Sequence, residues 1–171
     1  MIDRYIGGLV RTCSTLAAFW AMLLGFVILY DILGREIFNS PLAGTIELVA
    51  NSIVSILFLQ IPYAIHTGAH IRTLVVYQNA GDIGRRTIDA FAYLLGIFFF
   101  VAVVEGGWTD MITGWEVGEY EGEGALRVPT YPVRSLIILF AALSAAVYVL
   151  LLVGVITGKR AGSGSDGVQP T

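Results

Sequence analysis

Two histidines stand four residues apart, the spacing at which two side chains on one helical face can bind a metal ion. His66 and His70 are the only histidines in the chain, and Gly68 lies between them. A metalloprotease site would place a glutamate directly after the first histidine, and a metal centre would need a third ligand. Neither is evident, so the sequence favours solvated histidines over a metal or haem site.

Clustered acidic residues form a second candidate. They are Glu116, Glu119, Glu121 and Glu123. A calcium-binding loop needs Asp or Asn ligands and a glycine at fixed positions, and this spacing lacks that pattern. A nucleophile elbow and a phosphate-binding glycine loop are also missing from the sequence. We therefore predict that the protein is not an enzyme, that it binds no cofactor, and that these acids lie in a solvated loop.

The third candidate is a polar ridge, defined as Glu47, Asn51 and Ser55. Side chains four residues apart share one face of a helix. Polar groups that face lipid are costly, so they normally face protein or water. Two alternatives stay open for the ridge, namely contact with another polypeptide and packing inside the chain's own fold. An ion path is less favoured, because the centres of the surrounding apolar segments carry no charge.

Four long apolar runs must position these side chains. The chain is 56% hydrophobic and 13% charged, with a mean hydropathy of +0.77. Soluble domains carry about 25% charged residues, so this composition indicates a membrane protein. The uncharged runs are 12–30, 48–65, 90–104 and 135–158. Crossing the bilayer takes about 20 residues of helix, and lipid leaves no partner for an open backbone.

The predicted fold is therefore an all-α integral membrane protein with four transmembrane helices and short interfacial amphipathic segments. The predicted spans are about 12–38, 46–65, 88–108 and 135–157, within one domain of residues 1–158. Residues 1–11 are expected to form a short interfacial lead-in, and Leu74–Tyr77 an amphipathic surface element. The segment 159–171 is expected to be a disordered tail.

Basic residues indicate the orientation in the membrane. Seven lie in the termini and the 66–89 loop: Arg4, Arg11, Arg72, Arg85, Arg86, Lys159 and Arg160. Three lie in the other two loops: Arg35, Arg127 and Arg134. The positive-inside rule then places both termini in the cytoplasm. The net charge of −3 argues against nucleic acid as a partner.

The first loop has local signals of its own. Asp31 and Arg35 are spaced to pair on one helical face. Residues 39–44 contain Pro41 and Gly44 and are predicted to form a turn. Thr45 is expected to cap the second helix, and Glu47 lies in its first turn, where the helix dipole favours negative charge.

Three stretches resemble the small membrane subunit of TRAP transporters, the DctQ type. They are YDILGREIFNSPLAGTIELV (30–49), GAHIR (68–72) and GWEVGEYEGEGALRVPTYPVR (114–134). The resemblance implies a small scaffold subunit in a bacterial inner membrane, packed beside a large elevator-type membrane subunit and surrounded by membrane lipids. A periplasmic substrate-binding protein would deliver an organic acid or similar solute, and sodium symport would drive uptake.

The resemblance and the polar ridge together suggest roles for particular residues. Those expected at a subunit interface or in loop structure are Arg35, Glu47, Asn51, Ser55, His70 and Arg72. Those expected to dock the binding protein are Arg127, Pro129, Tyr131 and Pro132. The alternative function is a four-span accessory or assembly protein unrelated to TRAP systems.

Overall fold

A computed structural model describes residues 2–40, 42–67, 81–122 and 127–157. Its helices are α1 (Ile2–Phe38), α2 (Thr45–Thr67), α3 (Asp82–Val117) and α4 (Tyr131–Ile156). Two short strands, β1 (Tyr120–Glu121) and β2 (Val128–Pro129), pair antiparallel between α3 and α4. All four helices are long and apolar enough to cross a membrane. The predicted all-α membrane fold is therefore confirmed.

The helices are longer than the predicted spans. Helix α1 begins at Ile2 and is continuous through the glycines at 7 and 8, so it starts ten residues before the predicted 12. An interfacial position for residues 1–11 stays a prediction. Helix α3 likewise extends beyond 88–108 at both ends. A helix of 37 residues is about 55 Å long, well over the roughly 30 Å of hydrocarbon. Where the membrane boundaries lie along these helices remains a prediction.

Glycines define several of the helix ends. Gly44 has φ 80°, and its carbonyl accepts the first helical bond of α2 from the Leu48 N–H. Thr45 is therefore the first helical residue, and its hydroxyl donates to the Leu42 carbonyl at 3.0 Å. The predicted Thr45 cap is wrong in that respect. At the end of α3, Gly118 has φ 65° and donates its N–H to the Gly114 carbonyl.

The extensive helix contacts join α1 to α2, α2 to α4, and α4 to α3. This order makes α2 and α4 the inner helices and leaves α1 and α3 at the two edges. One buried cluster connects all four helices: Val10, Ile65, Phe100, Ala141, Val147 and Leu151. This cluster thus draws a single side chain from each of α1, α2 and α3, and the other three from α4.

The edge helix α3 buries very little of itself. In its most apolar 18-residue stretch 6% of the residues are buried, against 28% in α2 and in α4. Where α3 does meet α4, glycine allows the approach. A Cβ added at Gly96 would lie 2.7 Å from the Tyr148 ring, and one at Gly107 would lie 2.8 Å from Ile138 Cδ1. The opposite face of α3 is left exposed.

Several sequence predictions lie outside the described residues. These are Pro41, the Leu74–Tyr77 element, His70, Arg72 and the 159–171 tail.

Candidate functional site

Most of the polar contacts lie at one end of the bundle, here called the hairpin end. It contains the 38–45 connection, the β1–β2 hairpin and the helix ends that adjoin them. Alternating helix directions bring the C-terminal ends of α1 and α3 together with the N-terminal ends of α2 and α4. Side chains distant in sequence therefore meet there.

Asp31 organises the connection between α1 and α2. Its side chain is buried, and its two oxygens have different partners. Arg35 Nη2 donates to Oδ2 at 2.8 Å, which confirms the predicted pair. The Leu42 backbone N–H donates to Oδ1, also at 2.8 Å. The carboxylate thus ties the returning chain to α1, and Arg35 keeps 56% of its side chain exposed.

The backbone of this connection turns sharply, as the sequence predicts. Asn39 adopts φ 52°, a left-handed conformation that Asn tolerates better than most residues. The Ser40 N–H then donates to the Gly34 carbonyl at 3.1 Å. A Cβ at Gly34 would lie 3.0 Å from the Ser40 carbonyl oxygen, so the turn fits closely against a glycine.

A charged clamp, defined as Glu119 and Arg134, joins the end of α3 to the start of α4. Arg134 Nε lies 2.7 Å from Glu119 Oε2, and Nη2 lies 2.8 Å from Oε1. Two parallel charge-assisted bonds of this kind fix geometry as well as charge. The hydrogen bonds from Arg134 hold the pKa of the Glu119 carboxyl below its ordinary value. Asp110 lies 3.6 Å from the same guanidinium.

The backbone around the clamp is equally constrained. The Glu119 N–H donates to the Gly114 carbonyl at 2.9 Å, and the Thr130 N–H donates to the Glu119 carbonyl at 3.0 Å. A Cβ at Gly114 would lie 3.1 Å from Glu119 Oε2 and 3.4 Å from Arg134 Cδ. The space that the clamp occupies therefore depends on glycine at position 114.

Aromatic contacts reinforce the same junction. Trp115 Nε1 donates to Ser135 Oγ at 2.7 Å, and its ring centroid lies 4.5 Å from that of Tyr131. The first turn of α4 is thus held against the last turn of α3 by charge, hydrogen bonding and ring packing together.

The polar ridge of α2 also points toward the chain itself. Asn51 Nδ2 donates to Glu121 Oε2 and to the Glu47 carbonyl, both at 3.0 Å. Ser55 is fully buried, and its hydroxyl donates to the Asn51 carbonyl at 2.8 Å. Of the two alternatives for the ridge, this geometry favours internal packing for Asn51 and Ser55. Glu47 stays half-buried.

The proposed docking residues lie close to the hairpin. The Arg127 guanidinium lies 4.6 Å from the centroid of the Tyr120 ring, a cation–π contact across the hairpin. Pro129 in β2 and Pro132 in the first turn of α4 are exposed, whereas Tyr131 is half-buried against Trp115. These four residues lie within one short stretch at the hairpin end, and their role in docking stays a prediction.

His66 differs from its sequence-based interpretation. Its Nε2 atom is buried and has no hydrogen-bond partner among the described residues. A Cβ at Gly7 would lie 3.2 Å from His66 Cε1, so the ring packs on α1. The prediction of a solvated histidine therefore fails at His66 Nε2, while the side chain as a whole is half-buried. Within residues 2–40, 42–67, 81–122 and 127–157, no three His, Cys, Asp or Glu side chains group as metal ligands.

Two contacts of the hairpin end were not predicted from the sequence: the Glu119–Arg134 pair and the Asn51–Glu121 hydrogen bond. The sequence contains a signal for the first of them. An acid directly after a helix-ending glycine, followed by an Arg in the first turn of the next helix, indicates a helix–hairpin–helix joined by an ion pair. Glu119 and Arg134 fit that description. The bond between Asn51 and Glu121 spans 70 residues and has no comparable local signal.

Comparison with known proteins agrees with this architecture. A family model described as "Tripartite ATP-independent periplasmic transporters, DctQ component" matches residues 14–158. A search of curated proteins and a search of solved structures found no match. The matched region runs from the first helix to the end of the fourth, so the chain belongs to the DctQ family of TRAP transporter components.

Proposed function

We propose that this chain is the small, non-catalytic membrane subunit of a sodium-coupled TRAP transporter. In this proposal the large membrane subunit binds sodium and substrate and moves as an elevator. The small subunit widens the stationary part against which that elevator slides. The transported solute is an organic acid or a chemically similar anion, delivered by a periplasmic binding protein.

The observation that carries this proposal is the exposure of α3. Only 6% of its most apolar stretch is buried within the chain, which leaves a long apolar face for lipid or another membrane protein. A helix that keeps so much of its apolar surface exposed is well placed to contribute that surface to a larger assembly. Membership of a multi-component transporter family supports the same interpretation.

The inner helices favour a supporting role in the complex over transport by this chain on its own. Transporters that act alone place ionisable residues or broken helices near the membrane midplane. Helices α2 and α4 carry their Asp, Glu, Lys and Arg residues only near their N-terminal ends, at Glu47 and Arg134. Their middle turns are therefore suited to packing and not to ion binding.

The orientation belongs to the same proposal. With both termini in the cytoplasm of a bacterium, the hairpin end faces the periplasm. The surface around Arg127, Pro129, Tyr131 and Pro132 then faces the soluble binding protein. Arg35, Glu47, Asn51 and Ser55, with His70 and Arg72, fix loop geometry or the subunit seam.

Reconstitution tests the proposal. The small subunit should copurify with the large membrane subunit encoded beside it, and liposomes with both should take up solute when binding protein and a sodium gradient are supplied. Liposomes with this chain alone should show no uptake. Uptake by the isolated chain, or full transport by the large subunit without it, would contradict the scaffold role.

A further inference from the structure

The outward face of α3 contains one carboxylate among apolar side chains. Glu105 is exposed, and the residues one heptad before and after it, Phe98 and Ile112, are 74% and 41% exposed. Residues seven apart lie on the same side of a helix. We define the α3 outer face as Phe91, Phe98, Glu105 and Ile112, all of which are exposed on this side.

Comparison with α4 places Glu105 within the predicted membrane span. Gly107 packs against Ile138, which is three residues inside the predicted fourth span. Glu105 lies two residues further from the hairpin end, about 3 Å deeper. Trp115, which is bonded to Ser135 at the start of that span, lies ten residues away, about 15 Å along the helix.

The carboxylate has no partner within the described chain. None of the described residues forms a hydrogen bond or ion pair with Glu105. The side chains one turn away, Val101, Ala102, Trp108 and Thr109, carry no positive charge. Ionisable groups within a membrane almost always face protein or a water-filled space, because hydrocarbon does not solvate them.

We infer that the α3 outer face is the contact surface for the large TRAP membrane subunit, which places a Lys or Arg side chain opposite Glu105. This inference rests on the proposed function and locates its partner contact. The apolar residues on either side of Glu105 would exclude water from the ion pair. A pair in such surroundings is much more sensitive to loss of one partner than an exposed pair is.

A second copy of this chain fits the same face poorly. A twofold dimer through α3 would set the same patch of both copies together. Between Thr87 and Val117 that helix has no Lys or Arg, so the contact would bring carboxylates together without a cation. Like charges in contact are repulsive, so this twofold arrangement is disfavoured and a different chain with a cation at that position fits the face better.

Co-purification of the complex tests the inference with matched variants. Glu105→Leu should lower the amount of large subunit retained by about tenfold or more, because the partner's cation is left unpaired. Glu116→Leu is the control, since Glu116 is an exposed glutamate on the same helix, eleven residues nearer the hairpin end. It should change retention by no more than about twofold. Equal retention for both variants would overturn the inference.

Photocrosslinking in a chain that keeps Glu105 is a second test, which does not depend on whether the Glu105→Leu variant folds. A benzoyl-phenylalanine at position 98 should crosslink to the large subunit. The same group at position 26 tests the edge of α1, where Phe26 is 61% exposed, and should crosslink to lipid. Crosslinks from position 98 only to lipid or to a second copy would overturn the inference.

Failure of the proposed function and failure of this inference give different results. If the unmodified chain retains no large subunit, the proposed function is wrong, and this inference with it. If the unmodified chain retains the large subunit, but Glu105→Leu does so equally well and position 98 reaches only lipid, the inference alone is wrong.

Discussion

The hairpin end and the α3 outer face differ in whether their acidic side chains have partners within the chain. At the hairpin end, Asp31, Glu119 and Glu121 each have a partner in the same chain. On the α3 outer face, Glu105 is exposed without a partner among the residues that the structure describes. These acids of the hairpin end are paired within the chain, whereas the exposed Glu105 is explained only if a partner covers it. One subunit can thus have an end whose loops are held by its own polar contacts and a side whose charged group is left for a neighbouring subunit.

The largest expected effect comes from a substitution that disrupts the packing of α3 on α4, which connects these two regions. Gly96→Leu places a side chain where a Cβ alone would lie 2.7 Å from the Tyr148 ring. We expect the free energy of unfolding of the purified subunit to fall by about 1–3 kcal/mol, as for overpacked cores. Denaturant titration in detergent, followed by circular dichroism, measures it.

Gly106→Leu is the control for that change. A Cβ at Gly106 meets nothing within 4 Å, so the isolated subunit should lose no more than about 0.5 kcal/mol. Similar losses for both variants would mean that helix propensity, and not the close approach of α3 to α4, decides the cost.

Breaking the clamp should loosen the hairpin end without affecting the outer face. Arg134→Ala removes both charge-assisted bonds to Glu119. Hydrogen exchange at the Thr130 amide, which is bonded to the Glu119 carbonyl, should become several-fold faster. Retention of the large subunit should stay unchanged. Unaltered exchange at Thr130 would show that the hairpin is held by its backbone and aromatic contacts alone.

Lowering the pH should reproduce part of the faster hydrogen exchange at the Thr130 amide. The pKa of Glu119 is lowered in the folded protein, so the pair stabilises the hairpin at neutral pH. That stabilisation is lost as the pH falls below the ordinary value of 4.5 and through the lowered pKa. Exchange at Thr130, corrected for its intrinsic pH dependence, should rise in this range. The Arg134→Ala protein should show no such rise.

The smallest expected effect concerns docking at the hairpin. Arg127→Glu reverses the charge over the Tyr120 ring. Surface charges act mainly on association rates, so uptake at limiting binding protein should fall by about two- to fivefold. At saturating binding protein the loss should nearly disappear. Equal losses under both conditions would argue for a change within the membrane complex instead.

Much of the fold is predictable because apolar runs of this length have few alternatives in a membrane. The start of α1 lies earlier than the predicted 12, because the helix continues through Gly7, which packs against His66. The bond between Asp31 and Arg35 was predictable from their spacing of four. The bond between Asn51 and Glu121 was not, because it depends on how the hairpin returns beside the start of α2.

The buried position of Val10 has a practical consequence for shortening the protein. This side chain is fully enclosed, and it belongs to the same cluster as Ile65 and Leu151. Deleting the first dozen residues to obtain a minimal transmembrane segment would therefore remove part of the hydrophobic core. An affinity tag at this terminus should extend the chain and replace none of it.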